Sequence, residues 1–98
     1  MIIARRALAF EWDQGNRDKN LKKHRVTDEE CEEVFFDPKK KILSDTLHSG
    51  REERFIILGQ TKKERILFLA FTVREGKIRV ISGRDLNRKD LHLYEEKN

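Results

Sequence analysis

Glu64–Arg84 reads ERILFLAFTVREGKIRVISGR, and its two halves decide the fold class. Ile66 to Val73 is apolar without interruption except at Thr72, the pattern of a central strand covered on both faces. Lys77 to Arg84 alternates instead, which assigns Lys77, Arg79 and Ile81 to one face and Ile78, Val80 and Ser82 to the other. Glu75-Gly76 joins the two runs as a tight turn, with Gly supplying the positive φ that such turns need. The arginines among these β-branched residues carry chemical meaning. A guanidinium on a stiff sheet presents a planar fork of donors that fits two phosphate oxygens, so a polyanion is the first partner to consider.

Working outward, Glu53-Arg54-Phe55-Ile56-Ile57-Leu58-Gly59 reads as another strand, joined to Ile66 through a hairpin tip at Lys62-Lys63-Glu64. Lys41 to Leu47 reads as an edge strand, its Lys39-Lys40-Lys41 entry discouraging further pairing. A short first strand is expected from Ala7 to Trp12. Asp13-Gln14-Gly15-Asn16 follows as a turn, with Asn16 as cap of a polar helix to His24 whose one apolar contact is Leu21. A second helix has sharper ends: Thr27 and Glu30 form a capping box, Val26 and Cys31 occupy the staple positions, and Asp37-Pro38 stops it. Asn87 is expected to cap a C-terminal helix, with Asp90 at the box position. The order predicts a single α+β domain over 1–98. Its sheet is mostly antiparallel with four to five strands, and two N-terminal helices and one C-terminal helix gather on one face.

The 98 residues are 37% hydrophobic and 41% charged, so a compact core lies under a dense ionic surface. The net charge of +4 is unevenly spread: residues 1–49 hold 10 basic and 10 acidic side chains, and 50–98 hold 12 and 8. The surplus sits in the strand-rich half, where a polyanion can meet it. A solubilising surface is the plainer account of the same excess. Cys31 is the one cysteine, which removes an internal disulfide and a thiolate metal site. No paired-carboxylate string or His pair stands at ligand spacing, so neither a metal nor a cofactor is expected. The opening MIIARRALAF is too short and too basic for a signal peptide or membrane span, which predicts a cytoplasmic protein with no membrane partner. The acidic run Asp28, Glu29, Glu30, Glu32, Glu33 reads as a solvated helix face or as a docking surface for a basic partner.

Several strings occur together in a fixed order: FEWD at Phe10–Asp13, Lys23-His24, VTDEE at Val26–Glu30, VFFDP at Val34–Pro38, HSGREERF at His48–Phe55, FTVR at Phe71–Arg74, and IRVISGR at Ile78–Arg84. In this order and spacing the chain resembles the BrnT toxins of bacterial type II toxin–antitoxin systems, over roughly Phe10 to Glu95. The resemblance implies a RelE-like ribonuclease fold, RNA cleavage, and arrest of translation and growth. It also implies a BrnA-type antitoxin with a ribbon-helix-helix region, in a hetero-oligomer that binds operator DNA through the antitoxin. Three positions depart from the family: Arg25 stands where Gly is usual, Asp28 where an aromatic is common, and Gly83 where Ala is usual.

RNA cleavage without a metal needs a group to take the 2′-hydroxyl proton, cations to stabilise the phosphorane, and a proton for the leaving 5′-oxygen. Arg74 is the first candidate for a phosphate clamp, with Thr72 on the same face by period two. Arg84 and Ser82 end the neighbouring strand, and Arg54 approaches from the other flank. Arg79 is placed on the opposite face unless a bulge intervenes. With Lys23 and Arg65 it completes the candidate RNA contacts. His24 is the candidate for proton transfer, since an imidazole titrates near ~6.5; the alternative is a helix-end residue covering carbonyls. Each arginine also fits a surface ion pair, for instance Arg54 with Glu52 or Glu53. A nucleic-acid-binding module without catalysis, or a protein-interaction domain, uses the same features.

Overall fold

The structure, a computed structural model, describes residues 9–96. Four strands form a meander, β1 (Lys41–Ser44), β2 (Arg54–Gln60), β3 (Ile66–Arg74) and β4 (Lys77–Asp85), each antiparallel to the next. Hairpin connections make this order, because short loops can only join antiparallel neighbours. The β3–β4 turn has positive φ at both Glu75 and Gly76, the geometry that matches strand twist in a two-residue hairpin. The β1 strand ends three residues earlier than expected. Asp45 there accepts hydrogen bonds from the backbone and ring of His48, which folds Asp45–His48 into a turn.

Helices α1 (Lys19–His24) and α2 (Asp28–Val34) cover one face of the sheet. The capping box at α2 forms as the sequence predicts: Thr27 Oγ1 accepts the Glu30 N–H, and the Glu30 carboxylate accepts the Thr27 N–H. Cys31, Val34 and Phe35 then meet Ile57, Leu67, Leu69, Phe71, Ile78 and Val80 in one core, with Val26 closing it. Phe35 stands edge-on to Phe71 at 5.0 Å between ring centroids, a favoured aromatic arrangement. At Gly59 a Cβ would lie 2.6 Å from Val34 Cγ1, so only glycine lets α2 sit this close to β2. Burial pushes the Cys31 thiol up to about 12, leaving it a core residue rather than a nucleophile.

A third helix, α3 (Leu91–Glu95), follows a 3₁₀ turn at Arg88–Asp90. Asn87 makes no side-chain cap here; its carbonyl accepts the Asp90 N–H instead. α3 does not join the other two helices. Tyr94 lines a cavity with Lys41, Gln60 and Ile66, whose side chains point away from α2, so α3 lies on the opposite face at one end of the sheet. The Tyr94 hydroxyl donates to Asp37 Oδ2 at 2.5 Å, which anchors the helix.

The outer edge of β4 is met at Ile78 by the backbone of Ala9 and Glu11, which exchange two hydrogen bonds with it, and further along by side chains. Phe10 makes a single parallel bridge to Ile78, and the expected strand's Ala7 and Leu8 fall outside the described residues. Asn16, expected as a helix cap, is buried and donates to the carbonyls of Glu11 and Val80. Asn20 is buried too and accepts the Gly83 N–H at 2.9 Å, while Leu21, the expected apolar contact, is exposed. A buried edge needs donors and acceptors more than it needs methyl groups, and α1 turns its polar side inward for that reason.

Candidate nucleic-acid interface

The face opposite α1 and α2 carries the arginines. Residues directly opposite in an antiparallel pair share a face, and the register places Arg54, Thr72 and Arg79 in one row across three strands. Arg74 pairs with Lys77 at the hairpin end of the same face. Simple alternation places Arg79 and Ser82 on opposite faces. The structure corrects this: Ala70 pairs with Ser82 and Phe71 with Val80, so Ile81 is an extra residue, a β-bulge. The bulge flips the second half of β4, and Ser82 and Arg84 come round to join Arg79. Six of the sequence-predicted residues, Arg54, Thr72, Arg74, Arg79, Ser82 and Arg84, thus share one side of the sheet.

Their partners differ. Arg74 donates from Nε and Nη2 to the two oxygens of Glu52 at 2.9 and 2.7 Å. Arg79 forks onto Asp13 at 2.7 and 3.1 Å and reaches Glu11 at 3.0 Å. The hydrogen bond from Arg74 holds the Glu52 carboxyl below the usual range, and that from Arg79 does the same for Asp13. Arg74 is raised in turn by Glu52. The Arg74–Glu52 pair is almost half exposed on both sides, 44% and 45%. Attraction in such a pair is weakened by water and salt. A phosphate offers the same two-oxygen geometry and competes for the fork.

Arg54 and Arg84 have no carboxylate partner among the described residues. Arg54 Nε is buried without any hydrogen bond, a cationic donor still lacking an acceptor. Arg84 lies 4.3 Å over the Phe68 ring and donates to the Asp85 carbonyl. Arg54 and Arg84 sit opposite Thr72 and Phe68, four residues apart along β3, which is about 13 Å. The Thr72 hydroxyl is committed to the Glu53 carbonyl at 2.8 Å.

Arg65, Lys23 and His24 stand elsewhere, at the opposite end of β3 from Arg74. Arg65 forks onto Asp85 at 2.6 and 3.0 Å, approaches Glu30, and donates to the carbonyls of His24 and Arg25. It ties the end of α1, the start of α2 and the end of β4 together. Asp85 is held below its ordinary value first by Arg65 and also by the nearby His24. Arg74 lies eight residues from Ile66 along β3, about 26 Å. His24 and Arg74 therefore do not meet in one pocket.

Trp12 and His92, whose ring types could also meet RNA, take structural places. Trp12 donates Nε1–H to Glu32 at 2.7 Å and packs on the core, and His92 Nδ1 lies 3.1 Å from the Lys89 carbonyl. Glu11, Asp13 and Glu52 escape sequence reasoning as site residues, although Glu52 shares the HSGREERF string with Arg54. Among the described residues no three His, Cys, Asp or Glu side chains are grouped to hold a metal, and no helix is long and apolar enough to cross a membrane.

No curated protein matches the chain. A family model described as the ribonuclease toxin, BrnT, of type II toxin–antitoxin systems matches residues 12–90, a span that includes the whole sheet and both helices packed on it. The face of arginines and the family's RNA chemistry point the same way, and the chain belongs to the BrnT family of ribonuclease toxins.

Proposed function

We propose that this chain is a metal-independent endoribonuclease whose working surface is the arginine-bearing face of the sheet. The 2′-oxygen attacks phosphorus, the bond to the 5′-oxygen breaks, and the products are a 2′,3′-cyclic phosphate and a 5′-hydroxyl. Arg54 and Arg74 stabilise the charge that builds on the phosphorane, with Arg79 beside them. Arg84 and Ser82 receive the strand along β4, and Thr72 holds the Glu53 backbone in place for Arg54. Lys23, Arg65 and His24 mark the far end of the path, beyond reach of the phosphate held by Arg54 and Arg74. At that phosphate, water takes the 2′-hydroxyl proton and returns one to the leaving 5′-oxygen, and His24 serves only a phosphate bound at its own end. The observation that carries this reading is the cross-strand row Arg54–Thr72–Arg79, which the bulge extends to Arg84.

Cleavage in the cytoplasm arrests translation and growth. A BrnA-type ribbon-helix-helix antitoxin neutralises the toxin by covering this face, and the hetero-oligomer binds operator DNA through the antitoxin. Inducing the chain alone is the test. Growth stops and RNA is cut in the presence of a chelator, and Arg54→Ala relieves both without lowering the melting temperature. Intact RNA alongside tight RNA binding would favour the second reading, a binding module. That reading draws on the distance between His24 and the Arg74 end.

A further inference from the structure

The strongest concentration of unpaired positive charge lies outside the sheet face. Between Arg17 and Arg25 the chain carries Arg17, Lys19, Lys22, Lys23 and Arg25 against one carboxylate, Asp18. All five cations are exposed, and among the described residues no salt bridge reaches any of them. On the sheet, by contrast, Arg65, Arg74 and Arg79 are each forked onto a carboxylate.

This arrangement is unfavourable for α1 itself. Lys19, Lys22 and Lys23 stand at i, i+3 and i+4, where like charges repel. Arg25 adopts a left-handed φ of 56°, a conformation that costs a side-chain-bearing residue energy. The left-handed turn does close the helix, with the Arg25 and Val26 N–H groups on the Leu21 and Asn20 carbonyls. The crowded lysines bring no packing, since the residue α1 buries is Asn20 and not an apolar one. The helix is held by long-range bonds instead, through Asn20 to Gly83 and Arg65 to the carbonyls of His24 and Arg25. Like charges gathered without a packing return mark a functional surface.

The ridge also adjoins the sheet face. Lys19 Nζ lies 3.4 Å from the carbonyl of Ile81, the bulge residue, and Ser82 and Arg84 turn onto the arginine-bearing face just beyond it. A strand leaving Arg84 across the outer edge of β4 meets α1 directly. We infer that the α1 ridge is a phosphate track, which grips single-stranded RNA where it leaves the sheet. Exposed cationic side chains without interleaved aromatic residues hold backbone rather than bases, so this contact is indifferent to sequence. The inference rests on RNA being the target of the sheet face.

The test is binding of a single-stranded 2′-O-methyl RNA, which cannot be cleaved, over a range of salt concentrations. The triple variant Arg17→Ala/Lys19→Ala/Lys22→Ala binds more weakly, and its slope of log Kd against log salt is shallower by about 2. A control triple outside the ridge, Lys39→Ala/Lys62→Ala/Lys63→Ala in the β1 entry and the β2–β3 hairpin, keeps the wild-type slope. Both triples melt as wild type; if the α1 triple melts lower, the corresponding glutamine triple is read by the same criteria. An unchanged slope, an equal change in both triples, or a loss confined to antitoxin retention overturns the inference. Cleavage of the unmodified strand by the wild type is scored separately. Its absence sinks the ribonuclease reading while leaving the ridge intact, and the reverse result does the opposite.

Discussion

Arg65 and Arg74 flank the same central strand and make the same bidentate pair with a carboxylate, yet they do different work. Arg65 is three-quarters buried and donates to backbone carbonyls as well as to Asp85 and Glu30, joining three elements. Arg74 is nearly half exposed, and the acceptors it has are carboxylates. The number and kind of acceptors separate a structural clamp from an exchangeable donor. An arginine that holds backbone cannot leave without orphaning it; one that holds an exposed carboxylate can change partners.

The largest expected effect tests the exchangeable side. Arg74→Ala lowers the rate of RNA cleavage by roughly 10²-fold or more, as loss of a transition-state donor does, and its melting temperature stays at the wild-type value. A drop in melting temperature matching that of an Arg65 variant would erase the distinction. Arg65→Ala comes next and acts on stability, costing about 2–3 kcal/mol in urea unfolding because the charged and backbone acceptors lose their donor. Arg65→Lys recovers little of this, since an ammonium cannot fork.

Acid separates the two ends further. The folded Asp85 carboxyl lies below its ordinary 3.8, so the stability it contributes is complete above that value and is lost as pH falls through the folded pKa. Urea midpoints therefore decline below about pH 4, and Arg65→Ala flattens that decline. Glu52→Gln leaves it in place, because the Glu52 pair is open to solvent. The smallest effect is a gain: Arg25→Gly relieves the left-handed strain at the carbonyl that Arg65 holds and stabilises by about 1 kcal/mol. A loss of stability there would mean that the Arg25 side chain supports the clamp.

Much of this architecture is legible in the sequence because its signals are local. The Thr27–Glu30 box, the Glu75-Gly76 turn and the uninterrupted run of β3 each depend on residues a few positions apart. The site is less legible, for reasons that lie far along the chain. Asn20 turns inward because its partner, the Gly83 N–H, is 63 residues away. Asn16 gives up its cap to serve carbonyls on the β4 edge and beside Trp12. Glu52 meets Arg74, not the adjacent Arg54, because β2 and β3 run antiparallel. The bulge is the hardest to foresee: Ile81 is apolar and β-branched, so it fits either face and leaves the alternation looking continuous.

That one inserted residue acts on β4 as a frameshift acts on a message. Deleting Ile81 would invert everything downstream: Arg84 and Ser82 would be driven into the hydrophobic interior, and Gly83 would be left facing water. Insertions and deletions in this strand are therefore forbidden by the meaning of the residues that follow, even where the length of the sheet would tolerate them.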